Sequence, residues 1–331
     1  MENVNTPSVD ITILSWDRID DTLDAIDSAL SQQGIDLKVI VVDQGSKPDG
    51  LAKLRQHCLK DSRIQLVCNR QNLGVPGGRN QASDQGTGEF IVALDNDAEF
   101  VDEHQLAKAC ELMRSEPELG ALAFRILRFG SQEDDLTSWS YHDSASQAAE
   151  TTFYTDRFVG AGHMLRREAF DGIKGYDSDL FFLHEEVDLS KRLMNAHYKI
   201  KYSPEVVIGH KVSAEHRVAW TGGRWTFDVR NKTYLHFKFR TFLPTAVFHT
   251  GILVWRGIRS GLIWSTFKGL FQGFGMVPKA VRAWKTHPAV VSDAQAKAYM
   301  DSCSPTQGMT VMQRIKMRLQ SAKPVPVKPK G

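Results

Sequence analysis

Four aspartates follow short apolar runs, and carboxylates in such positions can bind a metal ion or a polar ligand. They are Asp17, Asp43, Asp95 and Asp97. In an open parallel sheet, ligands bind beyond the carboxyl ends of the strands, so side chains at those ends are candidate site residues. Any one aspartate alone is better explained as a turn former or a helix cap. Four acids at one sheet edge repel each other unless a cation or ligand donors offset their charge, and this favours a binding site.

The triplet Asp95, Asn96, Asp97 directly follows the all-apolar run 90–94. Two carboxylates from one tight turn suit a hard divalent cation and leave coordination positions for water and for phosphate oxygens. Such triplets are common in loops, so the pattern alone is a weak signal. Its place after a run typical of a buried strand predicts a metal site that binds a diphosphate.

A second acidic pair, Glu185 and Glu186, opens a predicted helix just after Phe181 and Phe182. A general base needs a rigidly held carboxylate, and apolar neighbours would raise its pKa toward the working pH. Acids at a helix start also complement the helix dipole without any catalytic role. His210, at the end of the last predicted strand, is a candidate metal ligand or phosphate donor, although a lone histidine is more often structural.

The glycine-rich segment 72–80, NLGVPGGRN, precedes another predicted helix. Its backbone amides could face an anion at the helix N-terminus, and Arg79 would add a positive charge. The alternative is that the glycines only permit a tight turn.

The elements that position these residues follow from hydrophobic periodicity. Apolar runs alternate with helical patterns, which is typical of β-α units feeding a parallel sheet. The pattern predicts strands over 9–14, 37–42, 64–67, 90–94 and 119–127. Helices are predicted over 19–34, 48–58 and about 102–115, and a further helix is predicted to begin in the glycine-rich segment 72–80.

The chain becomes less regular after residue 130. Residues 130–150 lack periodicity and predict an excursion or lid. Beyond them the pattern predicts a strand over 158–165, a helix over about 185–196 and a strand or hairpin over 199–208. The predicted organisation is a flexible N-terminus at 1–8, an α/β domain over 9–215, a basic, aromatic-rich helical region over 216–320 and a disordered tail over 321–331.

Composition is that of a folded protein, but charge is divided unevenly. The 331 residues are 42% hydrophobic and 24% charged, with a formal net charge of +2. Residues 1–223 carry 23 basic and 36 acidic side chains, a net of −13, whereas residues 224–331 carry 18 and 3, a net of +15. This asymmetry predicts that the C-terminal third faces something anionic.

The cysteine spacing and the apolar runs predict the compartment in which the protein is located. The four cysteines are widely spaced without a CxxC pair, which argues against a disulfide framework or a cysteine zinc site. The N-terminus lacks the pattern of a signal peptide, and the weakly polar stretch 242–255 is shorter than the about 20 residues of a spanning helix. We therefore expect a cytoplasmic protein without a transmembrane helix.

Aromatic residues interleave with arginine and lysine throughout the C-terminal third. This combination is typical of helices that lie in the headgroup region of an anionic membrane. A helical cap that packs its aromatics inward is the alternative. Binding of single-stranded nucleic acid also combines basic and aromatic residues, but we expect no nucleic-acid partner.

Seven segments, in this order, carry a family resemblance. They are ITILSWDR, VIVVDQGS, NLGVPGGRNQA, FIVALDNDAEF, GAGHMLRREAF, GYDSDLFFLHEEVDLSKRL and a last predicted strand that ends in GH, residues 209–210. Together they resemble the family 2 glycosyltransferases, the inverting nucleotide-sugar enzymes with the GT-A fold, in a branch similar to rhamnosyltransferases of bacterial surface polysaccharides. The match spans about Val9 to His210. It implies an α/β fold with a mostly parallel central sheet flanked by helices.

The resemblance also implies site roles. Trp16, Asp17 and Asp43 would surround the nucleobase and ribose, and Arg79 would contact the base or diphosphate. Asp95 would reach the ribose or metal-bound water, and Asp97 would bind Mn²⁺ or Mg²⁺, with His210 as a further candidate ligand. The acidic pair of the family falls on Glu185 and Glu186, and the second position usually carries Asp as the base. Asp17 stands where many relatives have Asn, and the pair Asp188 and Arg192 is expected to be structural.

The implied reaction is transfer of a sugar from a UDP- or dTDP-sugar to a hydroxyl of a glycan or lipid-linked acceptor. A metal at Asp97 would neutralise the departing diphosphate, and the Glu186 carboxylate would take the acceptor proton as the anomeric configuration inverts. The expected location is the inner face of the cell membrane, bound peripherally. Two other functions remain: a catalytically inactive membrane scaffold of the same fold, and a sugar nucleotidyltransferase. The second would need a Gly/Lys/Arg-rich loop after the first strand, which SWDRID does not resemble.

Overall fold

A computed structural model describes residues 6–211 and 222–304, together with Met309 and Gln313. The described residues form two compact units. The first holds residues 6–181 and 185–211, and the second holds 182–184 and 222–304. The expected domain boundary at 215/216 and the expected tail over 321–331 lie outside the described residues.

Nine strands in residues 6–211 form a single sheet. Their bounds are β1 Ser8–Ser15, β2 Asp36–Asp43, β3 Ile64–Cys68, β4 Phe90–Leu94, β5 Ala98–Phe100, β6 Leu119–Arg128, β7 Phe153–Tyr154, β8 Gly162–Arg166 and β9 Lys199–His210. The helices of this unit are α1 Ile19–Leu30, α2 Pro48–Cys58, α3 Gly74–Ser83, α4 Gln105–Ser115, α5 Ala145–Ala148, α6 Arg167–Gly172 and α7 Glu185–Asn195.

Parallel pairing of the first strands aligns the ends that carry the aspartates. The sheet order is β3-β2-β1-β4-β8-β6-β9-β5, and β7 pairs with β9. Strands β3, β2, β1 and β4 are parallel, with Ser15 opposite Asp43 and Ile13 opposite Leu94. The residues that follow β1, β2 and β4 therefore emerge at one edge, as the alternating pattern predicted.

The other half of the sheet is mixed. Strand β8 lies between β4 and β6 and runs antiparallel to both, with Leu94 opposite Gly162. Strand β9 is parallel to β6 but antiparallel to β5 and β7. The predicted α/β fold is confirmed. Parallel pairing occurs within the run β3-β2-β1-β4 and between β6 and β9. Apolar periodicity does not encode strand direction, so the antiparallel pairs had no local signal.

Apolar side chains on both faces of the sheet explain its burial. Ile40 and Val42 are buried on one face of the sheet and Ile11 and Val39 on the other, as is expected of strands covered by helices on both sides. The predicted apolar face of α1 supplies Ile26, which belongs to the same core. This core holds the strand ends, and thus the candidate site, in place.

The irregular segment 130–150 packs against the sheet. Trp139 and Tyr141 contact Tyr202 of β9, with ring centroids 5.5 and 5.1 Å apart. Phe153 stacks on the same tyrosine at 4.8 Å. Such aromatic pairs add to the stabilisation from burial. The segment is therefore the predicted excursion, held by an aromatic cluster.

The second unit is helical in residues 222–304. Its helices are α8 Gly222–Lys238, α9 Leu243–Arg259, α10 Ile263–Gly275, α11 Val277–Thr286 and α12 Ala294–Ser302. Its core centres on Trp225, Val229 and Leu253. The buried Asn231 of α8 donates hydrogen bonds to the carbonyl oxygens of Phe182 (2.8 Å) and Leu183 (2.7 Å).

Candidate active site

The predicted metal ligands converge at the sheet edge. Ligand atoms of Asp95, Asp97 and His210 all lie within 4.8 Å of one another. Asp95 and Asp97 occupy the turn after β4, and His210 ends β9. Ala98 pairs with His210 in the antiparallel β5 and β9 ladder, which brings the histidine beside this turn. Two carboxylates and one imidazole form a donor set that suits Mn²⁺ or Mg²⁺.

Asp97 contacts an arginine and a histidine. Arg18 Nη1 donates to Asp97 Oδ2 at 2.7 Å, and His210 Nε2 lies 3.3 Å from Asp97 Oδ1. Burial would raise the pKa of Asp97, but the His210 and Arg18 contacts outweigh it and lower the pKa to about 2. The side chain is therefore a carboxylate at neutral pH, as metal ligation requires.

His210 lies between two carboxylates. Its Nδ1 is 3.1 Å from Asp135 Oδ2, while its Nε2 faces Asp97. A neutral imidazole donates from one nitrogen only, so it can satisfy both carboxylates only when it is doubly protonated. With the proton on Nδ1, held by Asp135, the Nε2 lone pair is left for a cation. A carboxylate behind a histidine is a common arrangement at metal sites, and the residues present fit a divalent ion.

Asp135 is therefore expected to matter for metal affinity although it is not one of the three converging ligands. It also accepts hydrogen bonds from Thr137 N (3.0 Å) and Ser138 Oγ (2.6 Å). In Asp135→Asn an amide NH₂ must face either His210 or one of these donors. We expect the Mn²⁺ concentration at half-saturation to rise about 10–100-fold, measured by calorimetry.

Asp134→Asn is the matched control for this substitution. Asp134 is adjacent but pairs with Arg125 at 2.8 Å. Its variant should bind Mn²⁺ as the parent does. Equal Mn²⁺ affinities for the two folded variants would show that Asp135 does not orient the histidine.

Arg79 connects Asp95 to the loop before β8. Its Nη2 donates to Asp95 Oδ1 at 2.7 Å and to the carbonyl oxygen of Gly160 at 3.3 Å. The guanidinium is buried, so its charge offsets the aspartates with little screening. The family resemblance implies that this arginine contacts the base or the diphosphate. In the structure its side chain binds Asp95.

Glu186 reaches the same loop from the first turn of α7. A Cβ atom added to Gly160 would collide with Glu186 Oε1, so the carboxylate packs directly on this glycine. Burial raises the pKa of Glu186 to about 7, and the charge of Asp95 adds to the shift, while backbone hydrogen bonding and Arg79 oppose it. A carboxyl group that titrates near neutral pH is suited to act as a general base.

Glu185 has a different environment. It is buried, and its Oε2 has no hydrogen-bond partner among the described residues. Burial, followed by the charge of Glu186, raises its pKa well above the usual range. A buried carboxyl group is shielded from an acceptor, whereas Glu186 is partly exposed. The geometry thus favours Glu186 of the two predicted candidates.

The expected nucleoside-binding residues lie on the exits of β1 and β2. Trp16 is exposed, and Asp17 Oδ1 accepts a hydrogen bond from Lys47 N at 3.1 Å. Asp43 Oδ2 accepts from Gly45 N and Ser46 N, both at 3.1 Å. Its buried Oδ1 has no partner among the described residues and remains an acceptor for a ligand donor.

The glycine-rich segment has a structural explanation. Gly74 has a positive φ of 76°, and a Cβ atom there would collide with the carbonyl oxygen of Phe181. The amides of Gly74 and Val75 donate to Asn72 Oδ1 (2.7 Å) and to Phe181 O (2.8 Å). These first amides of α3 are thus used within the chain, which favours the tight turn over an anion site.

Three participants were missed by sequence reasoning: Arg18, Asp135 and His163. His163 is buried, with Nδ1 3.0 Å from Val159 O and Nε2 2.9 Å from the Tyr176 hydroxyl. Burial lowers its pKa to about 3, so it is neutral and holds the loop that contains Gly160. The motif GAGH contains this histidine but does not show its partners.

The pair Asp188 and Arg192 is structural, as predicted. Arg192 Nε and Nη2 both lie 2.7 Å from Asp188 Oδ2, and Arg192 Nη1 donates to the carbonyl oxygen of Ile173 at 2.8 Å. Both side chains are buried. The pair fixes α7, which carries Glu186.

Comparison with known families identifies the class of the domain that carries Asp95 and Asp97. Residues 10–173 match the family model described as glycosyl transferase family 2. These residues form a family 2 glycosyltransferase domain. The predicted class of enzyme, a glycosyltransferase, is confirmed by the match.

Two relatives of the domain are named for polysaccharide synthesis. The O-antigen biosynthesis protein RfbC of Myxococcus xanthus is 26% identical over 64% of this chain and 18% of its own length. The succinoglycan biosynthesis protein ExoO of Rhizobium meliloti is 32% identical over 28% of this chain and 26% of its own length. The chain thus spans about a quarter or less of these two relatives.

The fold of this family 2 domain also occurs in solved enzymes. A mannosyltransferase from Pyrobaculum calidifontis, solved with GDP-Man and Mn²⁺, matches with a TM-score of 0.54 and 18% identity. The match covers 96% of this chain and 85% of that enzyme. It confirms the predicted GT-A fold.

Proposed function

We propose that this chain is a metal-dependent, inverting glycosyltransferase that acts in surface-polysaccharide synthesis. Its donor would be a UDP- or dTDP-sugar and its acceptor a hydroxyl of a glycan or lipid-linked oligosaccharide. The observation that carries the proposal is the convergence of Asp95, Asp97 and His210, linked through Arg79 and Gly160 to Glu186. The names of the relatives support the polysaccharide role.

Each residue has a defined task in the proposed reaction. Asp95, Asp97 and His210 would hold Mn²⁺ or Mg²⁺, which, when bound, offsets the negative charge of the leaving nucleoside diphosphate. Asp43 and Trp16 would position the nucleoside. The Glu186 carboxylate accepts the proton of the acceptor hydroxyl as that oxygen attacks the anomeric carbon from the face opposite the diphosphate. Positioning and electrostatics would supply most of the rate.

Thermal denaturation with UDP, dTDP, GDP and CDP, each with and without Mn²⁺, tests the donor site. A nucleotide at about 100 times its Kd stabilises the folded protein by about 2.7 kcal/mol. We expect UDP or dTDP to raise the denaturation temperature only when Mn²⁺ is present, and we call this increase the Mn²⁺-dependent nucleotide shift. No shift with any nucleotide, for a folded protein, would overturn the proposal and favour a scaffold.

Turnover assays separate the remaining functions. A scaffold of this fold that binds Mn²⁺ and UDP would neither transfer sugar nor hydrolyse the donor over hours. A sugar nucleotidyltransferase would instead release pyrophosphate from UTP and a sugar 1-phosphate. We expect slow donor hydrolysis and no pyrophosphate release.

A further inference from the structure

An exposed apolar surface covers one side of α9 and α10 in the second unit. We call it the apolar face; its members are Phe242, Leu243, Val247, Trp255, Ile258, Ile263, Trp264, Phe267, Phe271 and Phe274. Trp264 is 81% exposed and Phe271 82% exposed. In α10, Trp264, Phe267, Phe271 and Phe274 recur every three or four residues and form one stripe; in α9, Leu243 and Val247 are one turn apart, as are Trp255 and Ile258. Contiguous apolar surface of this kind marks an interaction site.

Small residues form the opposite side of the same helices. A Cβ atom on Gly269 would lie 2.8 Å from Val229 Cβ, and one on Gly273 would lie 2.6 Å from Thr233 Cβ. Gly257 is similarly close to Thr266. The helices therefore pack inward through glycines and expose their large aromatic residues. Helices α9 and α10 therefore differ from α8, whose Trp225 and Tyr234 are buried.

The segment that contains the apolar face carries only positive charge. Residues 229–292 contain ten arginines and lysines and no aspartate or glutamate. Arg256, Arg259 and Lys268 belong to α9 and α10 themselves. Basic residues beside an apolar helix face favour an anionic lipid surface. A second copy of the chain would place the same positive charge against itself in a twofold dimer, which is unfavourable.

Helices α9 and α10 each have an exposed apolar side. No helix within the described residues is long and apolar enough to cross a membrane. A helix with one apolar and one polar side instead buries its apolar side about 5–10 Å into the headgroup boundary. Tryptophan is enriched at that depth because one end of its ring is apolar and the other is polar.

We propose that the second unit docks on an anionic lipid bilayer through the apolar face, with its arginines and lysines at the lipid headgroups. The inference is independent of the reaction that the first unit performs. It identifies the surface that would hold the chain at the membrane.

Flotation of the full-length protein with vesicles tests the docking. We expect binding to phosphatidylcholine vesicles that contain about 30% phosphatidylglycerol and weak binding to phosphatidylcholine alone. Raising NaCl from about 50 to 500 mM should weaken binding, since salt screens the headgroup attraction. Failure to bind the anionic vesicles at low salt would overturn the proposal.

Variants locate the surface. Trp264→Ser with Phe271→Ser should lower vesicle affinity at least about tenfold, because two large apolar side chains are lost from the buried area. Leu59→Ser is the matched control, since Leu59 is 87% exposed but belongs to the first unit. Equal binding by the double variant and the control would overturn the proposal. So would a dimer in sedimentation that the double variant abolishes, because the face would then bind a second copy.

The Mn²⁺-dependent nucleotide shift separates this test from that of the proposed function. The double variant should keep the shift of the parent, since its substitutions lie in the second unit. Loss of vesicle binding with a retained shift would support docking through this face. An absent shift in the parent would overturn the proposed function and leave the docking result unaffected.

Discussion

Replacing Glu186 by glutamine is expected to lower kcat about 10²–10⁴-fold, the range that general-base catalysis supplies. Glutamine keeps the size of the side chain but cannot accept the acceptor proton. The nucleotide shift with Mn²⁺ should stay unchanged, because Glu186 is not one of the converging metal ligands. Glycosyl transfer measured at saturating donor and acceptor checks this expectation.

The pH profile provides a second readout of the same residue. Burial raises the pKa of Glu186 to about 7, so the carboxyl group is protonated below that pH and is a carboxylate above it. Because only the carboxylate is a base, kcat should rise with pH through about 7 and then level off. The residual activity of Glu186→Gln should lack this rise.

Glu185→Gln is the matched variant. Glu185 neighbours Glu186 and is buried, with a pKa raised well above its usual range by burial. Glutamine has nearly the size of glutamate, and the buried side chain is shielded from the acceptor, so the variant should retain kcat within about tenfold. The reverse result, with Glu185→Gln inactive and Glu186→Gln active, would assign the base to Glu185.

Replacing Asp97 by alanine is expected to abolish the metal-dependent nucleotide shift and to lower kcat/KM by at least about 100-fold. A Lewis-acid metal supplies several kcal/mol, and each 1.36 kcal/mol is a factor of ten in rate. The substitution also leaves Arg18 without its 2.7 Å partner. Calorimetric titration with Mn²⁺ and UDP measures the effect.

Asp21→Ala separates ligation from the loss of an ion pair. Asp21 binds the same guanidinium, with Arg18 Nη2 2.8 Å from its Oδ2, but is absent from the metal-binding group. It should keep the Mn²⁺-dependent shift. If both variants lose the shift equally, the arginine network and not the metal accounts for the effect.

The sequence predicted the elements with strong periodicity and the residues at their ends. The helix at Pro48–Cys58 and the strand at Phe90–Leu94 have the predicted bounds, because each has a clear apolar pattern and a turn signal. Strand β5 has three residues, too few for a period, and was not predicted. The predicted strand over 158–165 begins at Gly162, since residues before it form the loop that contacts Arg79 and Glu186.

Long-range partners explain what was missed at the site. Arg18 meets Asp97 across 79 residues, and Asp135 meets His210 across 75. A local pattern contains no information on such pairs, since they depend on how the sheet brings distant strands together. Asp95, Asp97 and His210 could be proposed because each directly follows or ends a strand.

The two units are interleaved along the chain, so neither is a separable module. Asn231 and Asp228 of α8 bind the stretch 182–184, through two carbonyl oxygens and the ring of His184 at 2.8 Å. That stretch immediately precedes the glutamates of α7, and Leu183 and His184 both have a φ of 71°. A fragment ending at residue 211 would lack these partners. Leu183 and His184, whose positive φ angles are strained, would then lose the hydrogen bonds that stabilise them. Exchanging the C-terminal helices between relatives would thus alter the turn that leads into the proposed base.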